Sequence, residues 1–213
     1  MQEWLPAPPK GTPICLGADG SDFDDWTAIR AETLDGLQFT PRYGPDRLPT
    51  FWDPKTWPGA RTPRDQVQQA ADELFRWYKV ERFYFDPPRF ETDIDALESR
   101  HPGHVFEWWT NRPKQMHAAL ERFSADLDAG RITQDGCPVT AVHMANARRI
   151  PRGILYVLDK PSKSQKIDLV MASVLAHEAA ADARADGWGE KQQMSVVHFR
   201  RGMSSARNRP HLR

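Results

Sequence analysis

Acidic residues stand at three points of the sequence where apolar segments end or begin. Asp19 and Asp86 each close a short apolar segment of strand character, and Asp168 lies in the first turns of the last apolar helical segment. Carboxylate oxygens are the hard ligands that Mg²⁺ and Mn²⁺ prefer. Two such ions, held roughly 3.5–4 Å apart, can activate a water and stabilise the leaving oxygen of a phosphodiester. The three acids therefore predict a site for metal-assisted phosphodiester hydrolysis.

The first acid follows a segment that predicts the opening strand of a meander. Ile14–Ala18, Trp26–Leu34 and Leu37–Thr40 have the composition of strands. Asp35-Gly36, between the last two segments, is a hairpin signal. The first 40 residues therefore predict three antiparallel strands.

Helices and strands alternate after the meander. An apolar stripe at helical spacing begins after Pro63 and reaches Tyr78, and the strand Arg82–Asp86 follows it. The later predicted elements are a short helix around Ile94 and Leu97, a strand over Val105–Trp109, a helix from Met116 to Leu127, a helix over 139–148, a hairpin strand over 153–158 and a last helix from Ser164 to Ala185.

This element order predicts a ribonuclease H-like α/β fold, with a mixed five-stranded sheet of an antiparallel meander plus parallel strands, flanked by helices. A strand–helix–strand connection within one sheet is normally parallel and right-handed. Asp19 and Asp86 should therefore lie at neighbouring carboxyl ends of strands, where open α/β sheets form their sites. Asp168 on the last helix can face the same edge.

Composition limits the class of protein. The chain has 213 residues, of which 39% are hydrophobic and 27% charged, and no apolar run approaches the roughly 18 residues of a membrane helix. No secretory signal is visible, and two cysteines, Cys15 and Cys137, cannot form a disulfide framework or a Cys-rich zinc site. We expect a cytoplasmic protein with an extended lead-in over residues 1–13, one folded domain over 14–186 and a basic, disordered tail over 187–213.

The net charge of zero hides an uneven distribution. Lys plus Arg and Asp plus Glu both total 29, yet residues 187–213 hold six basic side chains and one acidic one. Residues 1–186 are therefore net acidic, with 23 basic and 28 acidic side chains. Such a domain is expected to meet a polyanion locally, through its tail or through bound metal ions, whose charge reverses the local field.

Several short segments, spread over about residues 14–186, carry a family resemblance. They are Leu16–Ser21 with Asp25–Ala28, Tyr84–Pro88, Trp108–Thr110, Val142–Ala147, and Lys163 followed by Lys166–Asp168. On these motifs the chain resembles the nuclease domain of tailed-phage terminase large subunits, especially those of actinobacterial phages and prophages. The resemblance implies that Asp19, Asp86 and Asp168 bind two Mg²⁺ or Mn²⁺ ions of an endonuclease. In that family the enzyme cuts concatemeric double-stranded DNA during genome packaging, in the bacterial cytoplasm.

Further polar residues near the third acid are candidates for contact with the substrate. Lys163 and Lys166 suit a scissile phosphate, although either could be a solvated charge. His143 and Asn146 are three residues apart on one predicted helix face and could touch the site or the DNA backbone. A purely structural histidine is the alternative. Asp25 is expected to organise the turn between the first two strands.

The printed sequence departs from a full terminase large subunit. It contains no Gly-x-x-x-x-Gly-Lys-Ser/Thr phosphate loop and begins about 13 residues before the first predicted strand. We therefore expect either a split or truncated prophage gene product or a piece that works with a separately encoded packaging ATPase, and a portal or a small terminase subunit are further expected partners. Two alternatives stay open: a Holliday-junction-type resolvase of the same fold, which would prefer branched DNA, and a non-catalytic prophage remnant that serves as an interaction domain.

Overall fold

A mixed β-sheet lies between two layers of helices in the computed structural model, which describes residues 4–190. The strands are β1 (Pro13–Asp19), β2 (Thr27–Thr33), β3 (Leu37–Phe39), β4 (Arg42–Tyr43), β5 (Leu48–Pro49), β6 (Phe51–Trp52), β7 (Lys79–Phe85), β8 (Val105–Glu107), β9 (Thr133–Gln134), β10 (Arg148–Arg152) and β11 (Leu155–Asp159). The α-helices are α1 (Arg64–Trp77), α2 (Glu91–Arg100), α3 (Pro113–Asp128), α4 (Pro138–Asn146) and α5 (Asp168–Ala185). Two short 3-10 helices, Pro54–Thr56 and Pro58–Ala60, precede α1.

The main sheet has the strand order β8-β7-β1-β2-β3-β9, with β6 paired to β2. β1 is antiparallel to β2 and parallel to β7, β2 is antiparallel to β3, and β7 is parallel to β8. The predicted meander and mixed α/β sheet are therefore confirmed. The predicted number of five strands is too low, because β6 and β9 raise it to seven. Each of these two strands has only two residues, too few to show an alternating apolar pattern.

Alternate residues of β1 belong to two different cores. Ile14, Leu16 and Ala18 join the core beneath α1 and α2, whereas Cys15 joins the core beneath α3 and α5. Gly17 lies on the α5 side, where a Cβ would stand 2.1 Å from the backbone nitrogen of Ala176. Only glycine permits this approach, so α5 crosses directly over the backbone of β1.

Several predicted boundaries differ from the structure. The last helix begins at Asp168 rather than Ser164, with Ile167 at the N-cap position, so residues 160–167 form the loop before α5. β8 ends at Glu107 rather than Trp109. The predicted hairpin strand over 153–158 corresponds to β11, and its partner β10 was not predicted. Three arginines and a proline among the five residues of β10 explain the miss, because they leave little apolar signal.

Residues 4–12 contain no helix or strand, as expected for a lead-in, and they contact the folded domain. The backbone N–H of Leu5 donates to the carbonyl oxygen of Asp135 at 2.9 Å. In the Pro-rich stretch that follows β3, Trp52 is buried and Trp57 packs against the core. Residues 187–190 of the predicted tail are described, and Trp188 among them packs against the core beneath α3 and α5. The rest of the predicted tail, beyond residue 190, lies outside the described residues.

Among the helices of residues 4–190, none combines the length and apolar composition needed to traverse a lipid bilayer.

Candidate active site

Asp19 and Asp86 lie side by side at the carboxyl ends of β1 and β7. Ala18 pairs with Phe85 in the parallel register, and the backbone N–H of Asp86 donates to the carbonyl oxygen of Ala18 at 3.1 Å. Asp19 comes two residues after Gly17, which faces α5. Asp86 comes two residues after Tyr84, which belongs to the core beneath α5. Side chains alternate along a strand, so both acids lie on the α5 side of the sheet.

Asp168 is the first residue of α5 and only 5% exposed. It lies one helical turn before Ala172, whose carbonyl oxygen would be 2.3 Å from a Cβ on Gly17. The packing of α5 over β1 therefore brings Asp168 to the strand ends. Its Oδ2 is buried and has no hydrogen-bond partner within residues 4–190, so this oxygen lacks the compensation that a buried polar atom normally has.

The pKa values of all three carboxylates are raised. Burial, followed by the charges of Asp168, Asp86 and Asp25, raises the pKa of Asp19 well above its usual range. Burial, followed by the charge of Asp25, raises the pKa of Asp168 to about 6, against the opposing effect of two lysines. Burial also raises the pKa of Asp86, although hydrogen bonds from Thr110 oppose the shift. A site with this much negative charge favours a proton or a cation.

Thr110 orients the carboxylate of Asp86. Its backbone N–H donates to Oδ1 at 3.0 Å, and its hydroxyl donates to Oδ2 at 2.7 Å. Thr110 belonged to one of the motifs that carry the family resemblance, but the sequence assigned it no role. Its position just after β8, the next parallel strand in the sheet, was the available signal.

The two predicted lysines lie on the loop that leads into α5 and Asp168. Lys166 donates to Asp25 Oδ1 at 2.7 Å, and Lys163 lines a cavity of about 440 Å³ shared with Asp25. Lys160, which also pairs with Asp25, and Lys55 line the same cavity and were not predicted. The regular spacing of Lys160, Lys163 and Lys166, three residues apart, is a sequence signal that could have indicated Lys160.

His143 and Asn146 are placed by α4 against the start of α5. The backbone N–H of Leu169 donates to Nδ1 of His143 at 3.2 Å, and the side-chain amide of Asn146 donates to the carbonyl oxygen of Lys166 at 2.9 Å. Burial, followed by the charge of Lys166, lowers the pKa of His143 to about 4, so the ring is neutral near pH 7. Asn146 thus supports the loop that carries the lysines, and His143 supports the start of α5. The contact of either side chain with DNA stays a prediction.

The three acids converge without forming a finished coordination shell. Within residues 4–190, no three His, Cys, Asp or Glu side chains are already arranged to hold a metal ion. Thr110 engages both oxygens of Asp86, and unneutralised carboxylates repel one another. The carboxylates would have to move toward a common point to bind a cation.

Comparison with known proteins finds relatives among phage proteins. No family model matches the chain. The Gene 13 proteins of Mycobacterium phages D29 and L5 are 31% and 30% identical to it over 187 residues. These matches cover 81% of this chain and 30% of each phage protein, so the chain spans about a third of the length of its curated relatives.

Solved structures with a similar fold are phage terminases. The HK97 bacteriophage large terminase matches with a TM-score of 0.62 and 18% identity, over 84% of this chain and 40% of its own. The large terminase nuclease of thermophilic phage G20c with bound magnesium matches with a TM-score of 0.59 and 14% identity, over 82% and 91% of the two chains. The G20c domain is also known with bound cobalt and with bound zinc.

The chain is thus an α/β protein of the ribonuclease H-like class, with acidic residues gathered at the carboxyl edge of its sheet. More particularly, its fold is that of the nuclease domains of phage large terminases, and the mycobacteriophage relatives agree with the actinobacterial type that its motifs indicate. The resemblance predicted from the sequence is confirmed.

Proposed function

We propose that this chain is a metal-dependent DNA endonuclease domain of a phage terminase large subunit, which cuts concatemeric DNA during genome packaging. The observation that carries the proposal is the convergence of Asp19, Asp86 and Asp168. These acids come from two adjacent strand ends and from the first residue of the helix that crosses them. Three largely buried carboxylates, two of which act through their charge on Asp19, are costly to keep unless they bind a cation.

The residues present fit a divalent metal centre. All three candidate ligands offer carboxylate oxygens, and the buried Oδ2 of Asp168 has no partner within the described part of the chain. Asp19, Asp86 and Asp168 would hold two Mg²⁺ or Mn²⁺ ions. Bound there, such ions supply Lewis acidity for water activation and positive charge for the leaving oxygen.

The chain's own residues have distinct tasks in the proposed hydrolysis, in which a water oxygen bonds to phosphorus and the bond from phosphorus to O3′ breaks. The products are a 5′ phosphate and a 3′ hydroxyl, which receives a proton. Thr110 holds Asp86 in one orientation through two hydrogen bonds. Lys163 and Lys166 would attract a phosphate. Asn146 holds the loop that carries these lysines, and neutral His143 holds the start of α5.

The proposed substrate is double-stranded DNA with little sequence preference, because the contacts inferred here are to phosphates, which carry no sequence information. The proposed partners are a packaging ATPase, a portal or a small terminase subunit, and the proposed site of action is the cytoplasm of a bacterial host. Relatives about three times as long leave room for the packaging motor outside the matched region.

Cleavage of supercoiled plasmid tests the proposal. The purified chain is incubated with Mn²⁺, Mg²⁺ or EDTA, beside Asp86→Asn and the matched control Asp95→Asn, which removes the same charge from an exposed position on α2. We expect metal-dependent nicking and linearisation by the wild type and by Asp95→Asn. Asp86→Asn should be inactive while it unfolds at a similar temperature.

Calorimetric titration with Mn²⁺ shows whether an absence of cleavage reflects a missing metal site or a metal site that does not cut DNA. A folded wild type that neither cuts DNA nor binds Mn²⁺ would overturn the assignment of the site and favour the interaction-domain alternative. Binding of Mn²⁺ without cutting would keep the metal site and reject autonomous cleavage. Cutting confined to four-way junctions would favour the resolvase alternative.

A further inference from the structure

A basic cavity adjoins the carboxylates and has no assigned ligand. The cavity measures about 440 Å³, and its lining residues are Asp24, Asp25, Lys55, Lys160, Lys163, Ser164 and Lys166. They come from three separate segments: the loop after β1, the 3-10 helix Pro54–Thr56 and the loop before α5. The cavity therefore exists only when the domain is folded.

Asp25 gathers two of the lysines. Its Oδ1 accepts hydrogen bonds from Lys160 and, at 2.7 Å, from Lys166. The side chains of these lysines are only 21% and 12% exposed, so both ammonium groups are held in place. Lys55 and Lys163 form no ion pair with any residue from 4 to 190. The carboxylate of Asp25 thus holds two lysine ammonium groups in place, and two further lysines line the same cavity.

The cavity carries a net positive charge, whereas the domain around it carries a net negative charge. Four lysines face two aspartates at its wall, which leaves two positive charges in a domain that is net acidic over residues 1–186. Low-exposure lysines with one shared carboxylate retain a positive field, and phosphate oxygens are the common biological anion for such a cluster. Asp19, Asp86 and Asp168 do not line the cavity. Its ligand therefore lies beside the carboxylates and not between them.

We propose that this cavity, the lysine pocket, binds a DNA backbone phosphate that flanks the scissile one, and that Asp25 is the residue that positions Lys160 and Lys166 for it. The proposal rests on the proposed function for the identity of the polyanion. The pocket would fix the register of the strand, so that the neighbouring phosphate reaches the three carboxylates.

Salt-dependent binding tests the pocket without cleavage. Affinity for a fluorescein-labelled 20-base-pair duplex is measured by anisotropy in EDTA across a range of NaCl concentrations. Each neutralised phosphate contributes about 0.9 to the slope of log K against log salt concentration. We expect the double variant Lys55→Ala/Lys163→Ala to lower that slope by about 0.9. Lys79→Ala, at the opposite end of β7, should leave it unchanged.

The direction in which Asp25→Asn changes the DNA affinity shows whether Asp25 positions the lysines or only adds negative charge near the DNA. Removal of a negative charge near DNA should strengthen binding if charge alone matters. Loss of the carboxylate that holds Lys160 and Lys166 should instead weaken binding several-fold. The matched control Asp95→Asn removes the same charge from an exposed side chain that does not line the cavity, and it should bind as well as the wild type or slightly better.

The outcomes for the pocket and for the nuclease are distinguishable. Unchanged slope and affinity in the lysine and Asp25 variants, with metal-dependent cutting intact in the wild type, would overturn the pocket and leave the nuclease standing. A wild type that does not cut, but whose slope falls in the double variant, would retain the pocket alone. Lysine-dependent binding of inorganic tripolyphosphate, with duplex binding unaffected, would assign the cavity to a free polyphosphate and overturn the DNA proposal.

Discussion

Thr110 donates two hydrogen bonds to a single carboxylate, that of Asp86, across the ends of two adjacent parallel strands. The hydrogen bond from the backbone N–H depends only on the path of the chain after β8, whereas the hydrogen bond from the hydroxyl requires the threonine side chain. Together they engage both oxygens of Asp86. The group that positions this acid therefore comes from the strand next to the one that supplies it.

Removal of the Thr110 hydroxyl should weaken the proposed metal site. Thr110→Val retains the shape and the backbone N–H but leaves Oδ2 of Asp86 without its donor. Loss of an outer hydrogen bond to a metal ligand typically costs about 10–100-fold in metal affinity or activity. We expect a loss in that range for Mn²⁺ affinity by calorimetry and for plasmid cleavage. Thr110→Ser should restore most of both, and a Val variant with wild-type affinity would contradict this role.

The positions of the three acids could be predicted because local patterns mark the ends of the elements that carry them. β1 and the last three residues of β7 are compact apolar segments, and the apolar stripe of α1 between them implies a parallel crossover. The predicted start of α5 lies four residues before the observed one. Ser164 to Ile167 have no pattern that opposes a helix, and the position of Lys166 between Asp24 and Asp25 is a tertiary effect.

Contacts between distant residues could not be predicted from local patterns. Arg30 lies in the middle of a predicted strand, yet it is fully buried and pairs with Asp135, 105 residues away. Likewise, the buried carboxylate of Glu32 pairs with His177 on α5. A charged residue in a strand normally indicates an exposed position, so the burial of Arg30 and Glu32 contradicts the simplest interpretation of their segment.

The buried pair of Arg30 and Asp135 should be important for stability. Asp135 also accepts hydrogen bonds from the backbone N–H groups of Thr40 and Cys137. Removing one partner of a buried pair typically costs about 3–5 kcal/mol, because the other charge stays buried without compensation. We expect Asp135→Ala to lower the free energy of unfolding in urea by that amount. Asp128→Ala, at an exposed site on α3, should change it by less than about 0.5 kcal/mol; equal effects would refute the pair's importance.

Asp168→Asn should stabilise the metal-free protein at neutral pH. Burial raises the pKa of Asp168 in the folded state to about 6, from 3.8, so the folded state binds its proton more tightly than the unfolded state does. The contribution of protonated Asp168 to the stability of the folded state is fully present below pH 3.8, and it is lost as the pH rises through 6. At pH 8 in EDTA, a permanently neutral Asn should therefore be more stable than the ionised Asp by about 1–3 kcal/mol. At pH 4 the difference should nearly vanish.

Thermal unfolding of wild type and Asp168→Asn at pH 4 and pH 8 checks this sign. Addition of Mn²⁺ at pH 8 should raise the unfolding temperature of the wild type and have little effect on the variant, because a ligand that binds only the folded state stabilises it. An advantage of Asn that is equal at both pH values would show that the ionisation of Asp168 is not its cause.

Gly17→Ala should separate the strand from the helix that carries the third acid. A Cβ at this position would lie 2.1 Å from the nitrogen of Ala176 and 2.3 Å from the carbonyl oxygen of Ala172. Both neighbours are helical backbone, so no side chain can rotate away and α5 itself must move off β1. Overpacking of a well-filled core typically costs about 1–3 kcal/mol, occasionally more, and we expect the upper end of that range or beyond in urea denaturation.

The displacement should also reach the carboxylates, because Asp168 begins the same helix and Asp19 ends the same strand. If Gly17→Ala folds, we expect it to bind Mn²⁺ at least tenfold more weakly than the wild type. Cys15→Ala, which shortens a side chain on the same face of β1, should retain Mn²⁺ affinity even where it lowers stability. Wild-type stability and metal affinity in Gly17→Ala would show that the approach of α5 to β1 is not what brings Asp168 to Asp19.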